Sequence, residues 1–438
     1  MARKLFGTDG VRGAVGDLLT ADLARRLGRA AAAHAPAERP RVLIIRDTRE
    51  SGWLLEGALA DGIRAAGGEV LLGGVLPTPA APLLIRRYGL DLAAVVSASH
   101  NPYTDNGIKF FAGDGFKLSD ETELEIEREL EEGADVAVPT GGEIRDLRAA
   151  DEDYLRELGE HFAGLDLAGL DVLLDCANGA TYSVAPEIFR RLGADVTVVH
   201  AEPDGRNINS GCGSTHVDAL AAAVKAGGHA VGFAFDGDGD RVLAVDGAGR
   251  VVDGDELIAL AAVHLQRQGE LRGGVVVTVM TNYGFHVAMR DAGIEVDVTQ
   301  VGDRYVLAEL RARGWRIGGE QSGHIIDMAF NTTGDGIASA LLALQALGGE
   351  DLTTHHPFAR LPQRLVNVTV RDRTALPGAQ AVTSAVESAE HALAGRGRVL
   401  VRASGTEQLV RVMVEAPTEE EAERVCGELV TVVSQELA

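Results

Sequence analysis

The sequence predicts an α/β protein: three similar α/β domains, each containing βαβ units, followed by a smaller C-terminal α+β domain. Two observations carry this. A rhythm of apolar strand, polar turn, helix, glycine and second strand occurs three times, and after Pro357 it gives way to the apolar/polar alternation of an antiparallel strand. At 438 residues the chain is also too long for a single hydrophobic core, so several domains are expected.

The first repeat opens on Arg41-Val42-Leu43-Ile44-Ile45, a buried-strand pattern. The polar Arg46-Asp47-Thr48-Arg49 follows, then a helical stretch to Ala66, Gly67-Gly68 as its stop, and a strand at Glu69-Val70-Leu71-Leu72. The second runs from Asp171-Val172-Leu173-Leu174-Asp175 through Ala177-Asn178-Gly179, a helix to Arg191 and Leu192-Gly193, to Asp195-Val196-Thr197-Val198-Val199. The third starts at Gly274-Val275-Val276-Val277-Thr278-Val279, passes Thr281-Asn282-Tyr283-Gly284 and a helix to Ala292-Gly293, and ends at Glu295-Val296-Asp297-Val298. Continuous apolar strands alternating with helices of this length indicate parallel-type sheets. Recurrence at this scale indicates repeated domains.

From Arg364 to Val370 the alternation is that of an antiparallel strand. A helix near Gln380–Ala394, strands at Arg398–Val401 and Leu409–Val414, and a last helix after Thr418 complete the pattern. Glu419-Glu420-Glu421 in that helix's first turn suits its dipole. Strand-helix-strand-strand-helix describes a small α+β domain. The expected domains are 1–155, 156–255, 256–362 and 363–438.

A net charge of −24 repels phosphate polymers, which argues against nucleic acid as a partner. A small anionic substrate stays open where basic groups converge locally. No apolar run reaches membrane-spanning length, and Met1–Gly10 lacks a signal-peptide core, so a soluble cytoplasmic enzyme with no membrane partner is expected. Cys176, Cys212 and Cys426 are too few and too far apart for a disulfide framework or a zinc site, in keeping with a reducing compartment. Lysine is confined to Lys4, Lys109, Lys117 and Lys225. Arginine stays charged whereas lysine can be tuned, and Lys109 and Lys117 fall close together.

Val95-Val96 runs into Ser97-Ala98-Ser99-His100-Asn101-Pro102, and apolar residues resume at Ile108. A buried strand ending in polar side chains is where open α/β sheets bind ligands. Ser99 beside His100 is a candidate nucleophile, and Lys109 a candidate acid, base or phosphate clamp. A solvated Asn-Gly turn is the competing reading. Asp236-Gly237-Asp238-Gly239-Asp240-Arg241 lies between the apolar runs Gly232–Phe235 and Val242–Val245. Three alternating carboxylates can converge on a hard cation such as Mg²⁺ or Ca²⁺. An EF-hand is rejected, since Arg241 and Gly247 stand where that loop needs glycine and a bidentate glutamate.

Gly318-Gly319-Glu320-Gln321-Ser322-Gly323-His324 offers groups suited to sugar hydroxyls and an imidazole able to move a proton; a structural turn explains it equally well. Arg402-Ala403-Ser404-Gly405-Thr406-Glu407 with Arg411 suits a phosphate without being a Walker A loop, an ordinary hairpin turn being the alternative. Phe6–Gly13 carries Arg12 in a glycine-rich loop.

Together and in this order, these motifs resemble the α-D-phosphohexomutases over essentially the whole chain. Gln321 within Glu320–His324, Cys212-Gly213-Ser214-Thr215-His216 and Val301-Gly302-Asp303-Arg304-Tyr305-Val306 are most similar to the bacterial branch that acts on glucosamine phosphates. Gln408 and Ala403 stand where proline and lysine are usual. The resemblance implies four domains around a central active-site cleft, with Ser99 as a phosphoserine. It implies one Mg²⁺ held by Asp236, Asp238 and Asp240 together with a phosphoryl oxygen on Ser99. Glu320 and Ser322 would hold sugar hydroxyls; Arg402, Ser404, Gly405, Thr406 and Arg411 would grip the non-reacting phosphate. Arg12 and Arg241 would help neutralise the phosphoryl groups, and His324 would move the hydroxyl proton with Lys109 as a charged partner.

The implied reaction interconverts glucosamine 6-phosphate and glucosamine 1-phosphate through a 1,6-bisphosphate, feeding UDP-N-acetylglucosamine synthesis. The partner is then a small phosphosugar, and a homodimer is left open. Rival readings are a mannose or glucose phosphate substrate, a non-catalytic phosphosugar-binding protein, and a serine-dependent metal phosphatase.

Overall fold

The computed structural model describes residues 5–7, 9–132, 141–404 and 407–437. These fall into two compact units, Met1–Met280 with Ile294–His356, and Thr281–Gly293 with Pro357–Ala438.

The first unit contains three sheets. The largest has the strand order Val11–Ala14, Asp105–Ala112, Leu92–Val96, Arg41–Arg46, Glu69–Val75, Ile144–Asp146. The second runs Val251–Val252, Val242–Asp246, Val231–Phe235, Asp171–Asp175, Asp195–Val199, and the third Val296–Thr299, Val275–Thr278, Ile317–Gly319, Ile325–Asp327. Strands joined by helical crossovers pair parallel, as the apolar runs predict. The sheets are nonetheless mixed, not wholly parallel. In each, the strand leaving a predicted functional loop folds back antiparallel on the strand entering it: Asp105–Ala112 on Leu92–Val96, Val242–Asp246 on Val231–Phe235, Ile325–Asp327 on Ile317–Gly319. A short loop leaves no room for a crossover helix, so its strands must form a hairpin. Each loop is thereby held at both ends by sheet hydrogen bonds.

The central strands are buried throughout, Val42 to Ile45 and Ala93 to Val96 being 0% exposed. Thr20 and Asp253 cap the helices Ala21–Ala33 and Gly254–Arg267 with their side chains, satisfying N-terminal amides. No helix among the described residues is long and apolar enough to cross a membrane.

The second unit is a three-stranded antiparallel sheet, Gln363–Thr369, Leu409–Glu415, Arg398–Ala403, with the helices Gln380–Leu393 and Glu419–Leu437 sharing its core. The helix Tyr283–Asp291, which belongs by sequence to the third repeat, is tied into this unit by a buried carboxylate. Glu415 accepts hydrogen bonds from Asn282 Nδ2 (3.1 Å), Tyr283 N–H (2.9 Å) and Arg398 Nε (2.8 Å).

On that helix, burial and, less, the nearby Arg398 depress the His286 imidazole to about 4. The folded form therefore resists protonation, and the stability this group confers is present above pH 6.5 and lost as pH falls through about 4. Unfolding of this unit, followed by hydrogen exchange between about pH 7 and about pH 4, should lose about 3 kcal/mol more in the wild type than in His286→Gln. Equal losses would refute the assignment.

Candidate active site

Ser99 sits in the loop between Leu92–Val96 and Asp105–Ala112 with φ +52°, the left-handed region. For a residue with a Cβ that conformation costs about 1–2 kcal/mol, so its surroundings must impose it. The Ser99 N–H donates to Ser97 Oγ (3.0 Å), and its carbonyl accepts from Asn209 Nδ2 (2.9 Å) and Arg49 Nη2 (2.9 Å). Its hydroxyl donates to Asp236 Oδ2 (2.6 Å). The neighbouring Ser97 hydroxyl is instead committed to Asp47 Oδ2 (2.6 Å). Of the two serines, only Ser99 presents its oxygen to the aspartate loop.

That loop closes on the serine loop through Gly237, where a Cβ would lie 2.5 Å from the Ser99 carbonyl oxygen and 2.6 Å from Asn209 Nδ2. Asp236, Asp238 and Asp240 are all buried, with ligand oxygens within 4.8 Å of one another. Burial first, then repulsion from Asp240 and Asp238, pushes the Asp236 carboxyl well above the usual range. Burial would do the same to Asp238, but Lys109 Nζ at 2.8 Å and Thr78 Oγ at 2.6 Å hold it below that range. Among the described residues, Asp238 Oδ1 and Asp240 Oδ1 are buried with no hydrogen-bond partner. Unpartnered buried carboxylate oxygens in so tight a cluster are what a hard divalent cation satisfies, so the donor set fits Mg²⁺.

Cations surround the cluster. Lys109, 2% exposed, reaches Asp238 (2.8 Å), Asp9 (3.2 Å) and Asp240 (3.8 Å). Burial opposes its charge, yet these carboxylates prevail and hold its pKa above the ordinary lysine value. Of the three roles open to it from sequence, this environment suits a fixed cation and not a neutral base. Arg12 pairs with Asp9, and Arg241 Nε lies 3.9 Å from Asp240 Oδ1. The Nε groups of both arginines are buried donors without a hydrogen-bond partner among the described residues. His100 Nδ1 lies 3.4 Å from Ser99 Oγ, and burial followed by Arg241 and Arg12 lowers its pKa, favouring the neutral ring.

The sugar-loop candidates come from the hairpin of Ile317–Gly319 and Ile325–Asp327. This hairpin joins the aspartate loop through Val242 N–H to the Gly323 carbonyl (3.1 Å) and a β-bridge between Arg241 and His324. His324 is 3% exposed, its Nε2 is 3.9 Å from Asp240 Oδ2, and neither ring nitrogen has a hydrogen-bond partner among the described residues. Glu320 is buried and accepts from Gly302 N–H (2.9 Å), while Ser322 is exposed. The structure thus brings Ser99, Lys109, Arg12, the three aspartates, Arg241 and His324 together.

Several contributors escaped motif reading. Asp9 links Arg12, Lys109 and Lys117, and Lys117 also pairs with Asp303. Thr78 and Asn209 come from loops with no motif. The scarcity of lysine pointed toward Lys117; nothing local marks Thr78 or Asn209.

In the second unit, Arg402 and Arg411 are opposite partners on neighbouring strands. Like charges so placed repel, and burial followed by Arg411 lowers the pKa of Arg402. Arg411 Nε is a buried donor without a partner among the described residues. Ser404 is buried, and its carbonyl accepts from Arg373 Nη1 (2.6 Å), a further residue missed from sequence. Gly405 and Thr406 lie outside the described residues. A pair of apposed arginines is relieved by an anion.

Four family models match successive segments: phosphoglucomutase/phosphomannomutase domain I over residues 3–137, domain II over 152–249, domain III over 253–365 and the C-terminal domain over 365–432. The chain is 52% identical to a phosphoglucosamine mutase of Moorella thermoacetica over 98% of this chain and 99% of that protein. It is 48% identical to one of Pseudomonas putida over 99% of each. A crystal structure of a phosphoglucomutase/phosphomannomutase family protein from Burkholderia thailandensis superposes with a TM-score of 0.82 at 24% identity, covering 99% of this chain and 97% of that one.

Proposed function

This chain belongs to the phosphoglucomutase/phosphomannomutase family, and from that premise we propose that it interconverts glucosamine 6-phosphate and glucosamine 1-phosphate. The observation that carries the chemistry is the Ser99 hydroxyl hydrogen-bonded to Asp236, one of three clustered buried aspartates. The sugar is carried by near-50% identity, over the whole chain, to phosphoglucosamine mutases from several bacteria.

Phosphoryl transfer depends on positioning and charge neutralisation more than on covalent help from the protein. Asp236, Asp238 and Asp240 would hold Mg²⁺, which when bound neutralises charge on the phosphoryl group. Lys109 stays protonated and, with Arg12 and Arg241, stabilises the negative charge that spreads over the transferring oxygens. Phospho-Ser99 donates to the sugar's 1-hydroxyl: the Oγ–P bond breaks, a P–O1 bond forms, and the O1 proton passes to His324. The resulting 1,6-bisphosphate turns end for end. The Ser99 oxygen then takes the phosphoryl from O6, the P–O6 bond breaks, and O6 regains a proton, so the cycle closes with Ser99 again phosphorylated. Glu320 and Ser322 are assigned to the sugar hydroxyls, and Arg402, Ser404, Gly405, Thr406 and Arg411 to the phosphate that is not transferred. The three cysteines are unpaired and buried, which suits work in a reducing cytoplasm.

Intact mass before and after phosphatase treatment, coupled to an assay on glucosamine 6-phosphate, tests the reading. One phosphate lost together with isomerisation is expected, and release of inorganic phosphate without isomer would overturn it. The sugar is decided by kcat/KM on glucosamine, glucose and mannose phosphates. Arg411→Ala should raise KM about 10–100-fold, the value of one or two charged hydrogen bonds, with a smaller effect on kcat; unchanged KM would move the phosphate site elsewhere.

A further inference from the structure

Arg49 is 0% exposed and all its N–H donors are used. Its Nε donates to Asp47 Oδ2 (2.8 Å), Nη1 to the carbonyls of Asp105 (3.0 Å) and Pro102, and Nη2 to the carbonyls of Ser99 (2.9 Å) and Asn101 (2.8 Å). Three carbonyls of the serine loop and that of Asp105, the first residue of the strand after it, therefore converge on one planar fork. Buried carbonyls require donors, and lysine, with three donors on a single nitrogen, could not supply this arrangement.

Asp47 completes the arrangement. It is 1% exposed, neutralises Arg49, and also accepts from the Arg49 backbone N–H (3.0 Å) and from the Ser97 hydroxyl (2.6 Å). Ser97 Oγ in turn accepts the Ser99 N–H (3.0 Å). The peptide groups on both sides of the Ser99 Cα are thus held from a single buried ion pair, one through Ser97 and the other directly. Asn209 adds a second donor to the Ser99 carbonyl (2.9 Å). With both flanking peptides pinned, φ stays at +52° and the hydroxyl is directed at Asp236.

Resting on the reading of Ser99 as phosphoryl carrier, we propose that the Asp47–Arg49 pair is a positioning device for the transfer. It keeps the Ser99 oxygen in one place whether it is giving or receiving the phosphoryl group. Neither residue touches a reacting atom. Their effect should therefore fall on kcat, because misplacing a nucleophile by about 1 Å costs about 10²-fold in rate.

Arg49→Lys preserves the charge beside Asp47 and removes the fork. It should lower kcat on glucosamine 6-phosphate about 10²-fold while KM and the Mg²⁺ concentration for half-maximal activity stay at wild-type values. Amide exchange at residues 99–105 should quicken while the rest of the first unit keeps its protection. Added ethylguanidinium should restore part of the lost kcat in Arg49→Ala, a response that general loosening of the fold would not give. A folded Arg49→Lys enzyme with wild-type kcat overturns the proposal. If Arg49→Lys fails to fold, Ser97→Ala breaks the link on the N–H side with Arg49 in place. About tenfold lower kcat at unchanged KM is then expected, and wild-type kcat overturns the proposal. The wild-type control separates this inference from its premise. A wild type that isomerises no hexose phosphate sinks the mutase reading, and the positioning device is then judged by exchange alone: faster exchange at 99–105 in Arg49→Lys, or in Ser97→Ala, supports it and unchanged exchange refutes it.

Discussion

Ser99→Ala should abolish the phosphoenzyme mass and lower kcat by at least about 10⁴-fold, the scale on which loss of a nucleophile acts. The fold should survive. The Ser99 N–H and carbonyl keep their partners in Ser97, Asn209 and Arg49, because none of those bonds involves the hydroxyl. What is lost is the hydrogen bond to Asp236, worth about 1–2 kcal/mol, and the longer 3.4 Å contact with His100 Nδ1. Ser97 cannot substitute, since its oxygen is engaged by Asp47 and by the Ser99 amide. A Ser99→Ala enzyme that retains the phosphate mass, or that isomerises at the wild-type rate, would remove Ser99 from the reaction.

Asp238→Asn should raise the Mg²⁺ concentration for half-maximal activity at least about 100-fold, since even supporting residues of metal sites are worth 10–100-fold. The substitution halves neither the packing nor the hydrogen bonding of the loop: an amide can still meet Thr78. Lys109 is not stranded either, because Asp9 at 3.2 Å and Asp240 at 3.8 Å remain. The cost of leaving a buried charge unpaired, about 3–5 kcal/mol, is therefore largely avoided and the variant should fold. Its defect should appear in metal titration. An unchanged titration curve, with activity otherwise reduced, would mean that Asp238 serves to hold Lys109 and not the metal.

Much of this site is legible along the chain because its parts are local. The three aspartates alternate with two glycines in five consecutive residues. The repeated βαβ rhythm announces itself because buried parallel strands need unbroken apolar runs. What escaped were the antiparallel returns beside each loop, since a short strand such as Ile325–Asp327 carries too few residues for a periodic signal. Arg49 and Asp47 lay in a segment visible only as a polar turn after a strand. Their significance rests on four carbonyls more than fifty positions away or close to it, which no local pattern records.

The sequence by itself determined the class of protein, the kinds of side chain brought to the chemistry and the loops that bear them, because patterning and motif spacing are properties of neighbours. That the Ser97 hydroxyl is turned to Asp47 and away from the aspartates, and that Lys109 sits as a fixed cation beside Asp238, were decided only by the tertiary structure. So was the burial of Asp47 and Arg49 beneath the serine loop. Each depends on burial and on charges contributed by segments far apart in the chain, and these set protonation and direction only once the segments are packed together.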